Sequence, residues 1–155
     1  MKARAALLVL AMCLVGAASS YGADNGFVGT WKLNEAKSKI GAGQAKNSTV
    51  VYEMSGDSVK CTIDGTGPDG AAIHNEWTGK FDGRDYPVTG DPSEDTRAYK
   101  QVSAHELTLT VKKGDKVTET GRIVVSADGK TRTVTAHGVD AKGMKFSTTA
   151  VYDKQ

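Results

Sequence analysis

From residue 27 onward the chain is written in short alternations of apolar and polar residues. In Phe27-Val28-Gly29-Thr30-Trp31-Lys32-Leu33, positions 27, 29, 31 and 33 share one side and positions 28, 30 and 32 the other. That is the period of a half-buried β-strand. A large Trp31 beside Gly29 on the inward face suits the floor of a small closed barrel. The ring fills the interior, and the missing side chain lets the next strand approach.

The same grammar predicts strands over 47–54, 58–64, 72–81, 84–88, 96–102, 106–113, 116–125, 131–138 and 144–153. Their inward sets include Val50 and Tyr52, then Val59, Cys61 and Ile63, then Ile73, Trp77 and Phe81. Further on they include Leu107, Leu109 and Val111, and finally Phe146, Ala150 and Tyr152. Turn residues separate the runs, and Asp82-Gly83 reads as a two-residue hairpin with positive φ at both positions. Pro87 marks 84–88 as an edge or strand-end segment. Only 34–46 departs from the scheme: Asn34 is placed to cap one helical turn, which Gly41 and Gly43 then end. Ten short strands with local turns predict an all-β fold, a single antiparallel up-and-down barrel whose closure removes the sheet edges.

Residues 1–22 read as a signal peptide, with cleavage between 18 and 23, and residues 24–155 as one β-barrel domain. Lys2 and Arg4 precede an apolar run over 7–15 that is too short to span a bilayer, and small residues follow it. Cys13 lies in a weak lipoprotein-like context, because Met12 before it is large. A periplasmic or secreted location follows from this pattern, with no transmembrane segment.

Removal of the signal changes the charge. The whole chain has 20 Lys and Arg against 18 Asp and Glu, and Lys2 and Arg4 leave with the signal, so the mature domain is formally neutral. Neither nucleic-acid binding nor a polybasic membrane patch has an electrostatic basis in such a chain. Of the two cysteines only Cys61 remains, so an intrachain disulfide is excluded and the domain rests on its core.

Gly29-Thr30-Trp31 matches the Gly-x-Trp of a first lipocalin strand, and the closing Ala150-Val151-Tyr152-Asp153-Lys154 resembles the end of a fatty-acid-binding protein. The chain thus resembles the calycin superfamily, and most of all small exported bacterial lipocalin-like proteins. The resemblance implies a lipocalin-like β-barrel that binds a small hydrophobic or amphipathic ligand. It also implies an Arg-x-Tyr anchor on the last strand. Here Tyr152 matches, Ala150 replaces the arginine, and Arg122 corresponds to a second family arginine.

The residues themselves place Arg132 on the side of Val134 and Ala136, and Arg97 on the side of Tyr99. An inward guanidinium binds a carboxylate or phosphate; the alternative is that both reach solvent from strand ends. Candidate ligand contacts are therefore Arg132, Arg97, Arg122, Tyr152, Trp77, Tyr52 and Phe146, with Gly29 and Trp31 structural. The aromatic members equally suit a packed core. Asn75, inward beside Trp77, needs a partner if buried.

His74, His105 and His137 lack ligand spacing, and Asp91, Glu94 and Asp95 lack the ladder of a calcium loop, so no metal or other cofactor is expected. No nucleophile elbow, phosphate loop or Cys–His pair marks a catalytic residue. Three functions stay open: a barrel carrying or sequestering a ligand, an envelope interaction barrel with a packed interior, and an enzyme using the cavity.

Overall fold

The first strand pairs with a neighbour on each side, through residues 29–32 on one and 31–33 on the other, and that double pairing closes the sheet. The computed structural model describes residues 26–155. The expected signal segment, 1–22, and Cys13 lie outside the described residues.

Among the described residues, ten strands follow one another. They are β1 (Gly29–Leu33), β2 (Lys46–Ser55), β3 (Ser58–Thr66), β4 (Ala72–Gly79) and β5 (Tyr86–Thr89). The second half adds β6 (Thr96–Ser103), β7 (Glu106–Lys113), β8 (Lys116–Val125), β9 (Thr131–Val139) and β10 (Lys145–Lys154). Each pairs antiparallel with its neighbours in sequence, and β1 also pairs with β10. The expected all-β, up-and-down, ten-stranded barrel is the observed fold.

Because the strands alternate in direction, the connections divide between two ends. The β2–β3, β4–β5, β6–β7 and β8–β9 turns share an end with Gly29 and the chain terminus, and the aromatic residues pack there. Phe27, Trp31, Tyr52 and Trp77 are all at most 1% exposed. The Trp31 indole N–H donates to the Phe27 carbonyl (2.8 Å), so the polar edge of this buried ring is satisfied. The Lys154 ammonium lies over its face, 5.2 Å from the centroid. Phe81 meets Phe27, Tyr52 and Tyr99 edge-on at 5.9–6.2 Å and stacks on Trp77 at 6.3 Å. These are the offset and T-shaped arrangements that aromatic quadrupoles prefer.

Gly29 shows why glycine is needed beside the tryptophan. Its φ is +126°, and a Cβ there would lie 2.8 Å from Lys154 Cε. The residue thus takes a backbone angle that L side chains rarely adopt, beneath the end of the Lys154 side chain.

Three local expectations meet the structure differently. Asn34 does cap a single turn, the 3₁₀ helix Glu35–Lys37, its side chain accepting from the Lys37 N–H. Asp82-Gly83 is not a two-residue hairpin: only Gly83 has positive φ, and β4 pairs with β5 through just Glu76↔Thr89 and Trp77↔Val88. The chain past β4 instead joins β6 directly, Phe81 turning in to the aromatic cluster, Asp82 bridging to Lys100 and the Gly83 N–H donating to the Tyr99 carbonyl. Nor is β5 an edge, since β6 pairs with its other side. Pro87 is accommodated because the Val88 N–H points to β6 through Asp95, which aims the proline nitrogen at β4 beyond the end of that ladder.

Truncation of the floor tests this packing. Trp31→Ala removes a fully buried ring and its hydrogen bond, and is expected to destabilise the domain by about 3–5 kcal/mol. Urea denaturation of the two proteins measures it; an unchanged midpoint would show that Trp31 does not fill the floor.

Candidate binding cavity

The opposite end of the barrel is open. Its rim is built from the start of β2 and the β3–β4, β5–β6, β7–β8 and β9–β10 connections. The mouth leads into a cavity of about 1000 Å³ whose walls include Val50, Ile63, Leu109, Val111, Ile123 and Val134. A cavity of this size lies at the upper end of the range for small-molecule sites.

Arg132 and Arg97, which sequence parity placed inward, are each 4% exposed, so neither reaches solvent from its strand end. Their surroundings differ in kind. Arg97 is neutralised: its guanidinium forms a buried two-pronged ion pair with Glu94, Nε donating to Oε2 at 3.2 Å and Nη2 to Oε1. Nη2 also donates to Asn75 Oδ1 (3.3 Å), which gives the inward amide its partner. Nη1 donates to Tyr99 Oη at 3.4 Å.

Arg132 has no carboxylate. It projects from the start of β9, opposite Tyr152 on β10 and Val125 on β8. Its guanidinium carbon lies 5.1 Å from the Tyr52 ring centroid and 4.9 Å from that of Tyr152. One N–H donates to Tyr52 Oη at 3.2 Å. Nε and Nη1 are buried without a partner. The two aromatic faces compensate part of the buried charge, typically about 0.5–2 kcal/mol for each contact. Each unpartnered donor costs about 1–3 kcal/mol of lost hydration. Arginine cannot shed its proton to escape that cost.

The other candidates divide by position. Tyr152 and Phe146 line the cavity, and Phe146 lies at the mouth over Gly138, where a Cβ would fall 2.7 Å from the ring. Tyr52 acts through Arg132 instead of forming the wall. Trp77 packs below, its indole N–H donating to the Arg97 carbonyl (2.8 Å) within the aromatic cluster. Arg122 faces outward with its side chain 65% exposed and donates to Glu106 at 2.8 Å, so it leaves the cavity set. Its parity is opposite to that of the inward Gly121, Ile123 and Val125.

Cys61 is fully buried next to this layer, and burial pushes its thiol upward in pKa, against the lowering influence of Arg97 and Arg132. Burial likewise raises the Tyr52 hydroxyl well above its ordinary value and that of Tyr99 to about 12. These groups therefore stay neutral and leave the charge of Arg132 unopposed. Of the histidines, His74 is exposed and pairs with Asp64 at 2.6 Å, and His105 and His137 are exposed. Among the described residues no group of three or more His, Cys, Asp and Glu side chains could hold a metal ion.

Sequence inspection missed two acids. Glu94 sits in the β5–β6 loop, where its neighbours Asp91 and Asp95 made it look like part of a solvated cluster; only the fold turns it in to Arg97. Glu119 shares the inward parity of Gly121, Ile123 and Val125, a signal that was present in the sequence. It lines the cavity near the mouth, half-buried, beside a bulge at which β7 pairing passes from Val111↔Glu119 to Lys112↔Val117. Burial, followed by repulsion from Glu94 and offset by Arg97, raises its carboxyl from 4.5 to about 7.

No family model matches the chain, and no curated protein matches it.

Glu119 makes stability depend on pH in a direction opposite to the usual carboxylate. Below its unfolded value near 4.5 both states are protonated and the group contributes nothing. Between there and about 7 the unfolded chain alone ionises, so the folded state is progressively disfavoured, and above 7 the penalty is constant. Glu119→Gln is expected to raise the melting temperature at pH 8 and to leave it unchanged at pH 4.5. A pH series of thermal melts on both proteins measures the difference. A shift of equal size at both pH values would dismiss the raised carboxyl.

Proposed function

We propose that the protein is an exported lipocalin-like barrel of the calycin type that carries or sequesters a small amphipathic ligand with an acidic head. The observation that carries this reading is Arg132, a buried guanidinium with two unpartnered N–H groups on the floor side of an open, largely apolar cavity. A carboxylate or phosphate placed against one edge of the guanidinium, Nε with Nη2 or Nη1 with Nη2, supplies a missing acceptor and the missing countercharge. The hydrocarbon part then lies along Ile123, Val134 and Leu109 toward the mouth. Tyr152 closes one side of the head site, and Tyr52 holds the guanidinium from behind.

The Gly29-Thr30-Trp31 motif and the last-strand Tyr152 support the calycin assignment. The anchor differs from that resemblance in its origin, since the arginine comes from β9, directly opposite Tyr152, and Ala150 holds the usual place. The basic start and short apolar run of residues 1–22 support export to the periplasm or the exterior. The open cavity favours ligand carriage over an envelope barrel with a packed interior.

Two measurements test this reading. In a fluorescent fatty-acid displacement titration, Arg132→Met is expected to weaken fatty-acid binding about ten- to a hundredfold, the loss of one charge-assisted bond. The corresponding fatty alcohol should be little affected. The same substitution should raise the apo protein's stability by about 1 kcal/mol or more, because it removes an uncompensated buried charge. Equal affinities in wild type and variant would remove Arg132 as the anchor. A wild type without saturable binding would favour the packed-barrel alternative. Intact-mass analysis of the exported protein should show a chain beginning between about residues 19 and 24, and an acylated Cys13 terminus would overturn soluble export.

A further inference from the structure

The cavity is electrically divided along its length. At its floor stands Arg132 without a carboxylate. At its mouth stand five carboxylates, Asp69, Asp91, Glu94, Glu119 and Asp140, and the guanidinium of Arg97 is already neutralised by Glu94. Asp69 and Asp140 accept from backbone N–H groups of their own loops. Asp91 is committed to the loop, accepting from the Ser93 N–H and hydroxyl and more distantly from Asn75. Of the two lysines on this rim, Lys113 is held by Asp95. Lys116, the first residue of β8, has no ion pair among the described residues. Glu119 makes no hydrogen bond or ion pair among the described residues, although it faces the cavity.

Floor and mouth are a fixed distance apart. Glu119 is paired with Gly138, six residues along β9 from Arg132, a strand length of about 20 Å. Both side chains line the same cavity. That strand length is the separation of the backbone positions, and an extended chain of matching length with its acid group on Arg132 brings its far end to the level of Glu119. There the Phe146 ring lies over Gly138 beside it. A plain methyl end leaves the Glu119 carboxyl without a partner in a partly dehydrated site. A donor at that end satisfies it.

Resting on the acid-binding reading above, we infer that Glu119 forms a second recognition point, and that the ligand is bipolar, an acid at one end and an amine or hydroxyl at the other. The near-neutral titration of Glu119 accords with a carboxyl lacking its countercharge, and a bound ammonium would lower it. This arrangement gives selectivity as well as affinity. A site built to meet a donor rejects the analogue lacking one more strongly than an apolar pocket distinguishes chain lengths.

The test uses palmitic and lauric acids and their ω-amino derivatives in competition with a fluorescent fatty acid. The proteins are wild type, Glu119→Gln and Glu119→Leu. In wild type the ω-amino acid of the better-fitting length is expected to bind at least as tightly as the plain acid. Glu119→Leu should weaken the ω-amino acid ten- to a hundredfold and leave the plain acid unchanged or tighter, with Glu119→Gln intermediate. Retained plain-acid binding shows that each variant is folded with its floor intact. If the ω-amino acids bind all three proteins equally while the plain acids still bind, the second recognition point is overturned and the acid-binding reading stands. If no acid binds wild type saturably, both fall together.

Discussion

Closure by β1 is the constraint on which the other features depend. A meander of ten strands leaves two edges, each with a row of unpaired N–H and C=O groups. Here both are satisfied by a strand of five residues, through Trp31↔Val50 on one side and Leu33↔Tyr152 on the other. So short a strand must be held firmly. Trp31 fixes it to the floor, and the positive φ of Gly29 lets Lys154 of β10 close over the ring. Because the sheet is closed, every inward residue has only the interior to occupy, whether or not that interior suits it.

The interior is filled unevenly. Toward the floor, Phe27, Phe81, Trp77, Tyr99 and Tyr52 meet at aromatic contact distances and exclude solvent. Toward the mouth, the walls are Val, Ile and Leu, too small to meet across the barrel, and a cavity remains. The boundary between the two halves is polar: Tyr52, Tyr99 and Cys61 lie there with Arg132 and Arg97 on either side. Ligand-sized space and buried charge thus occur together, at the point where large rings give way to aliphatic side chains.

Two arginines on one interior surface illustrate how local context decides the role of a charge. Arg97 is served by its own loop, since Glu94 stands three residues earlier and Asn75 faces it from β4. That ion pair is internally complete and ties the β5–β6 connection to the wall. Arg132 receives one hydroxyl and two aromatic faces, which stabilise a cation without neutralising it. A buried charge left in this condition lowers stability unless something binds it. The proposed acidic ligand supplies what the protein withholds.

Alternation of side chains was enough to read the architecture, because strand faces have period two and turns carry glycine, proline, aspartate and asparagine. It gave Trp31 and Gly29 as the floor and Arg132 and Arg97 as inward residues, all by parity along a single strand. Parity held even at Phe81, which turns inward past the end of β4, and at Glu119, inward beside the bulge on β8; it was the turn chemistry that failed, since Asp82 does not take positive φ. The outward place of Arg122 was also written in its strand, beside Gly121 and Ile123, but a family correspondence pointed the other way. What sequence could not contain is partnership across the barrel. That Tyr52 and Tyr152 enclose Arg132, and that no carboxylate reaches it, are consequences of closure. Closure brings residues as far apart as 52 and 132 to within a hydrogen bond, and it leaves two N–H groups of one arginine with nothing opposite.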